Sequence, residues 1–176
     1  HGGRAKCLQR LVRLDLPVPK TVALSFDAIK GIVSGKLPDL IDILSNFDKK
    51  DTLCVRPSSE SVDWGGPGAV LNIGMNDDRC LHLSKSIGEK AASELYFRFI
   101  QAYSVSVARL DPDVFDHITG ANGNSVSAAL AAYKDEMDES FPQSIEHQLS
   151  EVLRSMARAW EGTSARLLRE AKGAPA

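Results

Sequence analysis

The sequence predicts an α+β fold in which a short α/β segment leads into a larger helical region. Three observations carry this prediction. Apolar residues recur at helical spacing near the start and through the second half, and two runs of strand-forming residues flank a glycine-rich stretch. The 176 residues are also 43% hydrophobic and 25% charged, a composition that suits one core or two small packed lobes.

The first elements alternate between helix and strand in this prediction. An amphipathic helix begins at the diglycine of residues 2 and 3, and Leu16-Pro17-Val18-Pro19 ends it because proline lacks an amide proton. Residues 21–24 then fit a strand. Ser25 is the expected cap of a helix that runs through Val33, and Pro38 begins another helix.

The middle of the chain is predicted to hold two strands joined by a functional loop. Residues 52–56 and 69–73 have the apolar and β-branched character of strands, and the segment between them, 57–68, is rich in glycine, proline and serine. Such a loop can bring backbone amides close to a ligand.

Helical spacing dominates the rest of the sequence. The longest run, within residues 89–110, places large apolar side chains on one broad face. A polar linker follows at 119–124, after which Ser127 and Ser144 are the predicted caps of two further helices. The last helix is expected over 164–172, where Gly173 ends it.

Composition excludes several classes of protein. No stretch approaches the ~20 consecutive apolar residues of a membrane-spanning helix, and no basic stretch leads into a compact apolar one as in a secretory signal. The cysteines Cys7, Cys54 and Cys80 are widely spaced among apolar residues, which predicts buried, reduced thiols and a cytoplasmic protein. The net charge of -2 and the helical spacing of the aromatic residues within 96–103 favour core packing over a nucleic-acid surface.

The segment before Leu37 is an exception to this nearly neutral balance. Its acidic residues are Asp15 and Asp27, and its basic residues outnumber them: Arg4, Lys6, Arg10, Arg13, Lys20, Lys30 and Lys36. An excess of positive charge in one segment attracts anions. The N-terminal part is therefore the predicted place for an anionic ligand.

Several motifs, in the same order along the chain, resemble the pyruvate phosphate dikinase family. The most specific is VLNIGMND at residues 70–77, which follows VRPSS at 55–59 and the glycine-rich loop. Gly2-Gly3-Arg4 resembles the family's GGKG-type helix start, and residues 16–19 resemble its leucine-proline-valine-proline exit. The downstream matches are FRFIQAY at 97–103, FPQ at 141–143 and Ala159-Trp160.

The resemblance implies an ATP-grasp fold, in which two α+β lobes hold ATP between them. This chain is similar to the first lobe with its largely helical insertion, so residues 1–75 are the expected nucleotide-binding lobe and 76–176 the expected helical subdomain. The family converts ATP, pyruvate and phosphate to AMP, phosphoenolpyruvate and diphosphate by way of a phosphohistidine domain.

The same resemblance defines the expected ligands and partners. ATP is the expected substrate, and Mg²⁺ is expected only together with the second lobe. That lobe and the phosphohistidine domain are the expected partners, in the same or another chain. We therefore assign no catalytic residue and no metal ligand within these residues, and we expect the chain to be inactive alone.

Two arginines are the predicted phosphate-binding residues. Arg56 matches the arginine of the family's VRS motif, where a guanidinium can bind two phosphate oxygens, although a surface ion pair is the alternative interpretation. Arg4 stands at the place of the family's lysine beside a helix start, whose amides also favour anions. A flexible N-terminal segment explains the diglycine equally well.

Small residues near these arginines complete the predicted site. The phosphate-loop candidates are Gly2, Gly3, Ser58, Gly65, Gly66 and Gly68, with a purely structural hairpin loop as the other interpretation. The chain departs from the family pattern at Arg4, Pro57, Gly68, Ala69 and Ser164. These departures leave open a second function, a stand-alone degenerate ATP-grasp lobe that serves as a non-catalytic nucleotide-sensing or protein-interaction module.

Overall fold

The structure, a computed structural model, describes residues 2–59, 66, 68–118 and 123–173. Most of these residues are helical, and two short strands form a small sheet, in agreement with the predicted α+β class. The elements are α1 (Gly2–Arg13), α2 (Phe26–Val33), α3 (Leu40–Ser45), β1 (Leu53–Val55), β2 (Val70–Ile73), α4 (Asp77–Ile87), α5 (Glu89–Ser106), a 3-10 turn (Pro112–Phe115), α6 (Gly123–Met137), α7 (Ile145–Glu161) and α8 (Thr163–Ala171).

Side-chain caps explain where several helices begin. The Ser25 hydroxyl accepts a hydrogen bond of 3.1 Å from the amide of Ala28, which confirms the predicted start of α2. The amide of His147 donates to the Ser144 hydroxyl at 3.4 Å, so the predicted cap of α7 is also confirmed. Ser127 is not a cap, because α6 already begins at Gly123 and contains it. Residues 119–122 of the predicted linker lie outside the described residues.

The sheet consists of β1 and β2, paired antiparallel. Leu53 lies opposite Ile73 and Val55 lies opposite Val70, with an irregularity between the two pairs. These strands confirm the two predicted for the middle of the chain. The strand predicted at 21–24 is wrong, because these residues have no regular structure and the sheet that the structure describes pairs only β1 with β2. A short run with strand-forming residues gains little from an extended conformation without a neighbouring strand.

The described residues divide into two compact units. The first unit takes residues from 1–50, 56–69 and 153–176, and the second takes 51–55 and 70–152. Both units are discontinuous in sequence. The functional boundary that we predict at residue 75, between a nucleotide-binding lobe and a helical subdomain, stays a prediction.

The core of the second unit is aromatic. Phe141 lies at its centre, with ring centroids 5.2 Å from those of both Tyr103 and Tyr133 and 5.7 Å from that of Phe99, all in edge-to-face geometry. Such pairs are each worth roughly 0.5–1.5 kcal/mol beyond the area they bury. The aromatic residues of α5 therefore pack into a core, as the sequence predicted, instead of forming a binding surface.

The cysteines differ from their predicted environment. Cys7 and Cys54 are exposed, and Cys80 is partly buried. Cys54 is the middle residue of β1, where alternation along the strand turns it away from the face that buries Leu53. Apolar neighbours in sequence thus do not predict burial of Cys54, because a two-stranded sheet can leave one of its faces exposed.

Of the helices that the structure describes, none has the length and hydropathy needed to cross a bilayer.

Candidate functional site

The first helix begins at a glycine that no other residue could replace without strain. Gly2 is buried and has a φ of 66°, in the left-handed region that favours glycine. A β-carbon built on it would lie 1.2 Å from the carbonyl oxygen of Ser58. The backbone after β1 therefore lies directly against the start of α1.

Hydrogen bonds between described residues join these two segments. The amide of Ala5 donates to the Ser58 hydroxyl at 3.0 Å, and the amide of Gly3 donates to the Ser59 carbonyl at 3.4 Å. The Arg4 side chain donates through Nε to the Pro57 carbonyl at 3.1 Å. We call this group, residues 2–5 with residues 57–59, the α1 junction.

The α1 junction changes the predicted role of its small residues. The first amides of a helix have no partner within the helix and are the groups that bind an anion at its start. Here Ser58 and Ser59 accept from two of them. Ser58 thus caps a helix from 53 residues away in sequence, and the amides of Gly3 and Ala5 are already engaged.

The predicted phosphate-binding residues lie in and beside this junction. Arg4 and Arg56 are both exposed, and Arg56 directly precedes Pro57, whose carbonyl holds Arg4. Gly66 is partly buried and Gly68 is exposed, with open space around the position of a β-carbon. Gly65 lies outside the described residues. The structure therefore brings Gly2, Gly3, Arg4 and Ser58 together. Arg56 is their neighbour only along the chain, two residues before Ser58.

The motif that is most specific to the family forms a turn in the second unit. Asn72 and Gly74 both have positive φ, at 61° and 101°, and a β-carbon on Gly74 would meet the Cδ1 of Ile145 at 2.9 Å. Asn76 then caps α4, because its side-chain oxygen accepts from the amide of Arg79 at 2.7 Å. The asparagines and the glycine of VLNIGMND thus have conformational roles that explain their presence.

Gln143 of the FPQ motif attaches to this turn. Its carbonyl accepts from the Asn76 side chain at 2.9 Å, and its Oε1 accepts from the amide of Asp77 at 2.9 Å. Its Nε2 donates to the Tyr96 hydroxyl at 3.0 Å, which in turn donates to Asp77 at 2.9 Å. Two motifs that are widely separated in sequence therefore meet in one hydrogen-bond network.

This network and its surroundings hold Tyr96 in its neutral form. Burial raises the pKa of Tyr96 well above its ordinary value, the hydrogen bond from Gln143 opposes that change, and the bond to Asp77 adds to it. A neutral hydroxyl can both donate to Asp77 and accept from Gln143. Tyr96 is therefore a structural link between α5 and the start of α4.

A second glutamine, Gln148, is fully buried in the same unit and was not singled out from the sequence. Its Oε1 accepts from the amide of Gly74 at 2.7 Å, and its Nε2 donates to the carbonyls of Met75 and Pro142 at 2.9 and 2.7 Å. The available signal was its spacing, since it falls between Ile145 and Val152 on the apolar face of α7. A polar residue at a core position indicates a buried hydrogen-bond network.

Metal ligands are a separate question. Within the described ranges, no group of three or more His, Cys, Asp or Glu side chains lies close enough to hold a metal ion.

Comparisons with known proteins agree with the resemblance. Pyruvate, phosphate dikinase of Rhizobium meliloti is 27% identical across 99% of this chain and 24% of its own length. The chloroplastic pyruvate, phosphate dikinase of Mesembryanthemum crystallinum is 23% identical across 93% of this chain and 21% of its own length. The enzyme of Rickettsia felis is 36% identical over 67 residues, 38% of this chain.

The alignments cover only part of each relative. The chain spans under a quarter of the length of the curated relatives it matches. No protein-family model matches it. Similarity to pyruvate, phosphate dikinase extends over most of the chain.

Proposed function

We propose that this chain is the ATP-binding portion of a phosphotransferase related to pyruvate phosphate dikinase, and that it forms part of the first lobe of an ATP-grasp domain. The proposal rests on the similarity across nearly the whole chain and on the order of the shared motifs. Turnover requires a second ATP-grasp lobe and a phosphohistidine domain, in the same or another chain, and Mg²⁺ acts together with that second lobe.

The observation that carries this proposal is the α1 junction. Residues 2–5 and 57–59 are far apart in sequence, yet hydrogen bonds join them directly. Arg4, which the resemblance assigns to phosphate binding, is thereby held beside Pro57, and Arg56 directly precedes Pro57 in the chain. Two guanidinium groups in one region neutralise phosphate charge and fix its oxygens through directed hydrogen bonds.

The junction also refines how phosphate is held. Because Ser58 and Ser59 already accept from amides of the first turn of α1, the helix start contributes little direct hydrogen bonding in this conformation. The side chains of Arg4 and Arg56 are the exposed cationic groups of the predicted site. We therefore assign phosphate binding to the two guanidinium groups, with the glycine and serine residues as their structural support.

Calorimetry of the Arg56→Ala variant with ATP and with ADP tests this assignment. Loss of a charge-assisted contact is expected to weaken binding by about tenfold or more, while the melting temperature stays unchanged because the side chain is exposed. Arg10→Ala is the matched control, since it removes an exposed arginine from α1 away from the junction. Equal affinities for the two variants would remove Arg56 from the site.

Arg4 calls for a different substitution. Arg4→Lys restores the family's residue and keeps the charge, but an ammonium cannot reproduce the planar geometry of a guanidinium. We expect small changes in nucleotide affinity and a larger change in phosphoryl transfer when the remaining domains are supplied. If neither nucleotide affinity nor phosphoryl transfer changes, Arg4 has a structural role and does not position phosphate.

A non-catalytic nucleotide-sensing or protein-interaction module is the second candidate. The engaged amides of Gly3 and Ala5 favour it, because they leave fewer groups to position a transferring phosphate. The two candidates differ in one measurement. A phosphotransferase portion supports transfer once a second lobe and a phosphohistidine domain are added, whereas a sensing module binds nucleotide and supports no transfer under the same conditions.

A further inference from the structure

Arg169, in the last turn of α8, is buried to an extent that is unusual for a charged residue. Only 6% of its surface is exposed. Its guanidinium carbon lies 3.9 Å from the centroid of the Trp160 ring, and the same indole stacks with Phe26 at a centroid distance of 6.5 Å. All three residues belong to the first unit.

The contacts of the guanidinium satisfy only part of its hydrogen-bonding capacity. Nη1 donates to the carbonyl of Trp160 at 2.8 Å. Nε is buried and has no hydrogen-bond partner, and no ion pair joins Arg169 to a carboxylate within the described residues. An arginine has five N–H donors and does not lose its charge in proteins. Arg169 is thus a buried cation without a counter-ion among the residues that the structure describes.

Burying such a charge is costly. An unpaired buried ion destabilises a protein strongly, and stacking on an indole offsets only part of that cost. A buried polar group without a partner therefore calls for an explanation such as a bound ion. The stack on Trp160 orients the guanidinium but does not neutralise it.

The Arg169 side chain is directed towards the start of α8. Arg169 and Ala165 are one helical turn apart and both buried, so the arginine side chain runs over a small residue towards the start of α8. Its bond to Trp160 confirms that it reaches the junction between α7 and α8. Gly162 is the N-cap of α8 there and provides no side-chain cap.

We propose that Arg169 and the uncapped start of α8 form a binding site for a phosphate-sized oxyanion, which we call the Arg169 site. The positive end of a helix of nine residues and a buried guanidinium both favour a negative charge at this place. Bound anion supplies the counter-ion that Arg169 lacks, and it accepts hydrogen bonds from the guanidinium. The Arg169 site includes neither Arg4 nor Arg56, so it does not depend on the proposed function.

NMR of the unmodified chain is the direct test. The Nε–Hε correlation of Arg169 is expected to be displaced from those of the other arginines by the ring current of Trp160. Titration with inorganic phosphate should shift this signal in a saturable way, because Nε acquires an acceptor. A signal that stays in place while the fold remains intact would overturn the proposal and leave Arg169 as a structural stack on Trp160.

Two variants give an independent measurement of phosphate affinity. Arg169→Gln should weaken phosphate binding by about tenfold or more, the effect of losing a charge-assisted contact. Arg166→Gln removes an exposed arginine from the same helix and should change the affinity less than about twofold. Should Arg169→Gln fail to fold, Arg169→Lys keeps the charge and should retain weakened binding. Equal phosphate affinities for folded Arg169 and Arg166 variants would overturn the proposal.

The source of the anion is separated by comparing inorganic phosphate with ATP in the Arg56→Ala variant. A shift of the Arg169 signal by phosphate alone, unchanged in this variant, supports a site for free phosphate. A shift by ATP as well as by phosphate that persists in this variant supports a site that also takes a nucleotide phosphate. An ATP-dependent shift that occurs without a phosphate-dependent one and disappears with Arg56 would overturn the Arg169 site, because the change would then come from the other site.

Discussion

The carbonyl oxygen of Ser58 lies where a β-carbon on Gly2 would have to be, with only 1.2 Å between the two positions. Gly2 is therefore required by close packing as well as by its φ of 66°. The contact explains in structural terms why α1 begins at a glycine, and it does so without any ligand.

Gly2→Ala should open the α1 junction. The new methyl group must displace the Ser58 backbone, which weakens the bond from the amide of Ala5. We expect the exchange protection of that amide to fall by at least about tenfold, which corresponds to roughly 1.4 kcal/mol. Gly173→Ala is the control, since Gly173 has the same φ of 66° and no atom within 4 Å of its β-carbon position. Unchanged protection at Ala5 would contradict the close contact.

Local sequence signals predicted most of the helices because their causes are local. Ser25 accepts from an amide three residues away, and α8 ends just before Gly173, as its pattern indicated. The sheet was also predictable, since both strands contain apolar and β-branched residues. The α1 junction is predicted only in part. The resemblance assigns Arg4 and Ser58 to one phosphate-binding site, whereas in the structure both form hydrogen bonds within the junction.

The remaining features depend on contacts that sequence patterns do not contain. Residues 21–24 have strand-forming composition, but no neighbouring strand pairs with them in the sheet that the structure describes. Ser58 caps α1 across 53 residues, and Gln148 bonds to a backbone turn 74 residues away. Such partners are determined by the tertiary fold, which capping and periodicity rules cannot predict.

Gln148→Leu should destabilise the second unit strongly. Leucine keeps a similar volume but leaves the amide of Gly74 and the carbonyls of Met75 and Pro142 without their partner. We expect the free energy of unfolding to fall by about 3 kcal/mol, measured by urea denaturation. Gln101→Leu on α5 is the control for adding leucine at a partly buried position. Equal decreases in the free energy of unfolding of the two variants would show that the hydrogen bonds of Gln148 contribute little to stability.

Purified chain should bind adenine nucleotide weakly and should not turn it over. Phosphoryl transfer requires positioning and charge neutralisation from several sides, and the described residues form no metal-binding cluster. The measurement is incubation with labelled ATP, Mg²⁺, pyruvate and phosphate, followed by assays for AMP and for labelled protein. Sustained AMP production that depends on pyruvate and phosphate would refute this prediction, because a complete active site would then lie within these residues.

Alkaline pH should unfold the chain through its tyrosines. All three, Tyr96, Tyr103 and Tyr133, are buried, and burial is the main cause that raises the pKa of each, to about 12 for Tyr133. Their ordinary pKa is about 10, so the unfolded chain releases these protons first as the pH rises. The folded state then binds more protons than the unfolded state, and the free energy of unfolding decreases above about pH 10.

Absorbance of tyrosinate measures this effect directly. At pH 11 roughly nine-tenths of a tyrosine with the ordinary pKa is ionised, against about a tenth of one with a pKa near 12. We therefore expect little tyrosinate in the native chain at pH 11 and a steep rise that coincides with loss of the circular dichroism signal. Tyr133→Phe should shift that transition to higher pH, because one tyrosine whose ionisation favours the unfolded state is removed. Tyrosines that ionise near pH 10 while the fold persists would contradict their burial in the aromatic core.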